Sequence, residues 1–216
     1  MSDIDYLRQV APTLLKGLSL TVGATVIGMT IASVLGLIVA VIRLRRVPVV
    51  APALTLYVVF LRNTPLLLQL YFLFYVLPVW GLTLDALLVG VVGLGLQFSA
   101  YTAEVYRAGF KSVPRGQWEA AQALNLDAFT TLREVIFPQA LRPVLPALAN
   151  CLISMFKDSA FLATITIYEL LGTTEVLAAA SFRYTLLFTL LGIIYFALSY
   201  PSSLVVRLVE SRMAYA

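Results

Sequence analysis

The chain has 216 residues, 61% of them hydrophobic and only 12% charged, with a mean hydropathy of +0.93 and a formal charge of +4. No ordinary water-soluble domain is that apolar, so a soluble fold is excluded and a single integral membrane domain is expected. With no His and one Cys, Cys151, His-based acid–base chemistry, His/Cys metal sites and an internal disulfide are excluded as well.

Residues 1–14 read as an external N-terminal segment, with Pro12 as the expected start of a helix. The opening stretch MSDIDYLRQVAP has neither the basic start nor the cleavage site of a signal peptide, so the first span is expected to stay as an anchor. That span is the apolar run 17–42, long enough to cross the bilayer, for which about 20 residues suffice. It carries Gly17, Gly23, Gly28 and Gly36 among Ser and Thr residues, and small residues let helices approach closely, so it is expected to pack against others. Arg43, Arg45 and Arg46 follow at once.

A second apolar run, 52–77, is interrupted by Arg62, Asn63, Thr64 and Pro65. Polar groups and a proline inside a span are costly unless they are buried in protein or face water. The interruption therefore reads either as a packed kink or as a transport-path element, with Gln69 shortly after it. Residues 78–85 form a short loop in which Trp80 suits an interfacial anchor. The third span is 86–106. Its Gly90, Gly93 and Gly95 follow no strand, so they read as helix packing and not as a nucleotide loop. Glu104 and Arg107, three apart near its end, read as an ion pair on the helix surface.

Residues 112–140 are the longest polar interruption, with Arg115, Glu119, Asp127, Arg133 and Glu134. Trp118, Ala121 and Leu124, and again Phe129, Leu132 and Ile136, recur at helical spacing. A short helix, a turn near 125–127 and a second helix into Pro138 are expected, forming an amphipathic elbow outside the lipid that suits docking to a partner. The fourth span, 141–156, is cut off by Lys157, Asp158 and Ser159 before a second apolar piece, 160–171. The two pieces read as a broken helix or a span plus a re-entrant segment, beside protein or a cavity. Lys157 and Asp158 either serve as cation and anion for a zwitterionic solute, or pair with each other or with a neighbouring subunit, or hold the break. Residues 172–183 read as an outward loop, and 185–206 as the last span.

Basic residues orient the chain. Arg43, Arg45 and Arg46, the elbow with Arg107, Lys111 and Arg115, and the tail with Arg207 and Arg212 share one side if there are five spans. The other side, with Asp3, Asp5, Arg8, Lys16, Asp85, Glu169, Glu175 and Arg183, is close to neutral. The expectation is an all-α membrane protein of about five transmembrane helices. Its N-terminus is outside, its C-terminus and elbow are inside, and 213–216 form a cytosolic tail. The positive charge thus serves topology and not nucleic-acid binding.

Glu119-Ala120-Ala121, then Asn125 after three residues, then Val135, Phe137 and Pro138 resemble the coupling loop of ABC importer permeases, E-A-A-x(3)-G-x(9)-I-x-L-P. Asn125 stands where that pattern has Gly, and Asn is the other residue that tolerates a left-handed turn. Residues 63–72, NTPLLLQLYF, resemble the R-G-T-P-L-L-V-Q-L-x-F run of polar amino acid permeases. The resemblance covers about 15–212 and is to the membrane subunits of type I ABC importers of the histidine, glutamine and arginine type. The stretches ALNLD, PALANCLISMFKDSAFLATIT and SFRY look most like ectoine and hydroxyectoine permeases.

It implies a multi-pass subunit of a bacterial inner membrane. The implied partners are an ABC ATPase dimer, a second permease subunit and an extracytoplasmic solute-binding protein. Glu119, Ala120, Ala121, Asn125 and Pro138 would form the contact with the ATPase. Arg62, Asn63, Thr64, Gln69, Lys157, Asp158 and Ser159 are candidates for the substrate path. The chain has no G-x-x-x-x-G-K-[ST] loop, so no cofactor is expected on it, and ATP is expected to be used by the partner subunits.

A secondary transporter or channel without ATPases would account for the spans and their polar breaks, but not for the elbow. A membrane enzyme would lack His and any obvious nucleophile–base pair. A scaffold subunit, with the solute site on its sister, stays open, since only one subunit of a heterodimer need contact the solute, although the polar break at 157–159 argues against it.

Overall fold

Backbone polar groups inside hydrocarbon must be satisfied within their own segment, which leaves helices as the simplest spanning structure. The computed structural model describes residues 2–214, and no strand occurs among them. The side chains of Arg207 and Arg212, and the last two residues of the tail assigned to 213–216, lie outside the described residues.

Helix α1, Asp3–Leu44, is 42 residues long, about 60 Å at 1.5 Å per residue, or twice the hydrocarbon thickness. It starts well before Pro12. The Ser2 hydroxyl accepts the Asp5 amide at 3.2 Å, and Asp3 and Asp5 in the first turn complement the helix dipole. Pro12 lies inside the helix, where it removes a single amide donor. After a tight reversal with Arg46 and Val49 at positive φ, α2 (Val50–Asn63) and α3 (Leu66–Tyr71) follow. A π turn, Phe72–Val76, and a 3-10 turn, Leu77–Trp80, continue α3. The α2 and α3 segments do not form one straight helix. They bend by 106° at Thr64–Pro65.

Helix α4, Ala86–Ser112, is capped by Asp85 and runs through the middle of the molecule, packed along α1. Small residues bring the two backbones together. A Cβ at Gly36 would lie 2.9 Å from the Ala103 amide nitrogen, and the Thr102 hydroxyl donates to the Ala32 carbonyl across the same gap at 2.7 Å. The glycines of α4 do serve packing, since a Cβ at Gly93 would meet Leu70.

The elbow contains α5 (Arg115–Ala123) and α6 (Ala128–Thr130). A π turn, Thr131–Ile136, leads without a stop into α7, Phe137–Asp158. The second elbow helix and the fourth span are therefore one rod. The π turn lies just before Pro138, where the continuous rod lacks one backbone donor and its hydrogen-bond pattern shifts.

A 3-10 turn, Ser159–Ile165, ends the rod, and α8, Leu170–Ser181, returns from it. The loop expected over 172–183 is thus mostly helix. Gly172, Thr173 and Thr174 are weak helix formers, but they are buried, with α8 packed on α1 and capped by Glu169. Helix α9, Tyr184–Ala214, closes the chain. Among the described residues, four segments are long and apolar enough to span a bilayer, or five if the bent α2–α3 pair counts as one broken span.

Candidate functional site

The two ends of the bundle differ chemically. At one end, Arg43 of α1 pairs with Glu104 of α4 at 2.6 Å, and Arg107 pairs with the same carboxylate. The expected 104–107 pair forms, and a third partner from another helix joins it. Arg45 reaches the Ala128 carbonyl of the elbow at 3.4 Å. At the other end, Arg183 pairs with Asp3 and lies 4.8 Å from the centroid of the Tyr6 ring. The loop after α1 and the elbow therefore share one end, and the N-terminus sits at the opposite one.

The elbow has a seated face and a free face. Trp118, Leu132 and Ile136 pack into a cluster with Ala40, Tyr106, Phe110 and Val144, so α5 is fastened to the ends of α1, α4 and α7. Ala121 also points inward and is buried. Glu119, Ala120 and Asn125 are exposed, as is Pro138. Leu124 and Phe129, 73% and 62% exposed, flank them. Asn125 ends α5 with φ +51°, the left-handed geometry expected of a Gly position. Next to it, Asp127 caps α6, accepting the Phe129 amide at 2.8 Å. The Thr130 hydroxyl and two backbone amides hold the Asp127 carboxyl below the usual carboxylate range. A folded-state value that is lowered means the cap is intact above the ordinary carboxylate range and is lost only as pH falls through that depressed value. Glu119, Gln122, Leu126, Thr131 and Arg45 line a cleft of about 550 Å³ beside the elbow.

The path candidates fall into three places. Arg62 lies 5.4 Å from the centroid of the Tyr101 ring and shares a cleft of about 440 Å³ with Asn63, Arg43 and Glu104. Thr64 and Gln69 belong instead to a network at the helix break. Pro65 has no amide to give the Leu61 carbonyl four residues back. The Gln69 side-chain amide takes that place, donating to Leu61 O at 3.2 Å and approaching Thr64 Oγ1 at 2.7 Å and Gln97 Oε1 at 2.5 Å. Gln97, buried on α4, was not singled out in the sequence, although a Gln in the middle of a span is itself a signal.

At the third place Lys157 is exposed, Asp158 half-buried and Ser159 buried, with the Ser159 hydroxyl donating to the Phe156 carbonyl at 2.7 Å. Lys157 and Asp158 make no direct ion pair with each other among the described residues. Asn150 and Ser154 are exposed on α7 with Lys157. Their spacing of four and then three places all three on one helix face. This polar stripe on a spanning helix was legible as a period but was not picked out.

The matching family model, over residues 32–215, is that of binding-protein-dependent transport system inner membrane components. A probable amino-acid ABC transporter permease of Sinorhizobium fredii is 40% identical over 208 residues, covering 96% of this chain and 90% of its own. The L-cystine transport system permease of Bacillus subtilis is 34% identical over 203 residues, covering 94% of this chain and 87% of its own. Among solved structures, an amino acid ABC transporter crystallised with histidines superposes with a TM-score of 0.89 at 32% identity, covering 98% of this chain and 99% of that one. The methionine ABC transporter in an inward-facing conformation shares the fold, with a TM-score of 0.75 at 20% identity over 97% of this chain and 99% of that one.

Proposed function

The chain belongs to the family of binding-protein-dependent transport system inner membrane components, as a multi-pass permease subunit of a type I ABC importer, and from that premise we propose what it carries and how it is driven. The solute is a polar amino acid or an amino-acid-like zwitterion, with ectoine and hydroxyectoine among the candidates. It moves inward between this subunit and a second permease subunit, a copy or a sister, after delivery by an extracytoplasmic binding protein. Hydrolysis by a partner ATPase pair supplies the energy.

The seating of the elbow carries this reading. Its outer face offers Glu119, Ala120, Leu124 and Phe129, while its inner face is fastened to three helices. Small alanines admit a partner surface closely, and Glu119 offers a carboxylate to an Arg or a backbone donor. A push on such an element moves the helix ends with it instead of deforming a loop, as a rigid-body switch between inward- and outward-facing states requires.

Asn150, Ser154 and Lys157 on α7, with Asp158 beside them, supply a cation, an anion and amide or hydroxyl groups along one side of the path. The Arg62–Asn63 cleft, next to the Arg43–Glu104 pair, lies nearer the basic end. Relatives named for cystine, octopine, nopaline and glutamine transport support an amino-acid solute.

The test is uptake of radiolabelled ectoine, histidine, glutamine and arginine by the chain reconstituted with its ATPase, permease partner and binding protein. Uptake that needs both ATP hydrolysis and the binding protein is expected. Uptake by this chain alone, indifferent to ATP, would favour a secondary transporter.

A further inference from the structure

Glu169 is fully buried, although the sequence reading counts it among the charges of the outer side. Both carboxylate oxygens are engaged. Oε1 accepts the Leu171 and Gly172 amides at 2.9 and 3.0 Å, capping α8. Oε2 accepts the Thr21 hydroxyl of α1 at 3.0 Å and the Tyr195 hydroxyl of α9 at 3.4 Å. Thr21 in turn accepts the Leu170 amide at 3.1 Å. Gly17 makes room for this seat, since a Cβ there would lie 2.7 Å from Thr173 Oγ1 and 3.0 Å from the Glu169 carbonyl. A carboxylate has only acceptors, and Leu171, Gly172, Thr21 and Tyr195 all donate to it, so one side chain ties three helices together.

The tie continues toward the path. The Tyr195 ring packs on Phe156, with centroids 5.4 Å apart, and the Phe156 carbonyl in turn accepts the Ser159 hydroxyl at 2.7 Å. Phe156 and Ser159 bracket Lys157 and Asp158. We propose that Glu169 is a positioning residue: acting through Tyr195, it sets where the break at the end of α7 presents Lys157 and Asp158. The proposal rests on reading that break as part of the path. The carboxylate is suited to this because it meets α8, α1 and α9 at one point, and a displacement of any of them shifts Tyr195 and the break together.

The test uses the full chain in membranes, with Lys157→Cys in a Cys151→Ala background and a membrane-impermeant maleimide. Glu169→Gln keeps the side-chain shape, and Tyr195→Phe keeps the ring while removing only the hydroxyl. Both are expected to change the labelling rate at position 157 about tenfold, in line with the sensitivity of positioned groups to small displacements. Asn150→Cys, two turns earlier, should label as before. An unchanged rate at 157, or equal changes at 157 and 150, would overturn the proposal, the latter because general loosening moves both.

In the reconstituted complex, both variants should raise KM for the transported solute about tenfold with little change in kcat per assembled complex, and they should not be additive with each other. A fall in kcat with KM unchanged would count against positioning. No uptake of any of the four solutes by the parent complex would overturn the proposed solute class alone, leaving the labelling comparison to decide the role of Glu169.

Discussion

Asn125 holds its turn at φ +51°, a geometry that costs most L-residues about 1–2 kcal/mol and Gly and Asn little. Asn125→Gly is therefore expected to leave thermal stability and uptake close to those of the parent. Asn125→Val should lower the melting temperature of the purified protein, because a β-branched side chain has no relaxed rotamer there. Glu119 makes a different argument, since it is exposed and has no hydrogen-bond or ion-pair partner among the described residues. Glu119→Lys should leave the protein in the membrane and cut uptake about tenfold or more, as reversing one partner of an interfacial charge pair does. Normal uptake by that variant would remove Glu119 from the coupling contact. Asp158→Asn should lower uptake while co-purification with the ATPase stays intact. If uptake and assembly fall together, Asp158 supports the fold and does not line a path.

At the scale of elements, the 106° bend between α2 and α3 is a replacement of hydrogen bonds and not a defect. Pro65 withdraws one donor, and Gln69 returns it from a side chain held by Gln97. Gln69→Leu leaves the Leu61 carbonyl and the Gln97 carbonyl oxygen without that donor, at a cost of about 1–3 kcal/mol for each unsatisfied group. A melting temperature lower by several degrees in detergent is the expected reading, and an unchanged one would show that the bend is held by packing alone. The proline was plain in the sequence, but its consequence was not. A proline reads as a kink, and how far the chain turns depends on Gln97 in another helix.

Across the whole molecule, the basic end and the Asp3–Arg183 end lie at opposite ends of the bundle, and the excess of Arg at the first is the reason for proposing that it faces the cytosol. In the Cys151→Ala background, a cysteine at Phe182, 83% exposed, should react with an impermeant reagent added outside intact cells. One at Phe129, 62% exposed, should react only after the membrane is opened. The reverse pattern would invert the topology while leaving the fold untouched.

The apolar runs, the elbow, its left-handed turn and the basic clustering were all legible in the sequence. Each is written in a local pattern: hydropathy over a span's length, helical period, or one residue suited to one backbone geometry. The direction of α3 and the helix at α8 were decided elsewhere, and so were the split of the path candidates into three places and the burial of Glu169. Propensity argued for a loop over 172–174, and packing on α1 overruled it. A charged residue between apolar pieces reads as exposed until its partners are known. The Thr21 hydroxyl that accounts for Glu169 lies 148 residues away in the chain. Only the tertiary structure brings such partners together, because desolvating a carboxylate is costly until donors from other helices surround it.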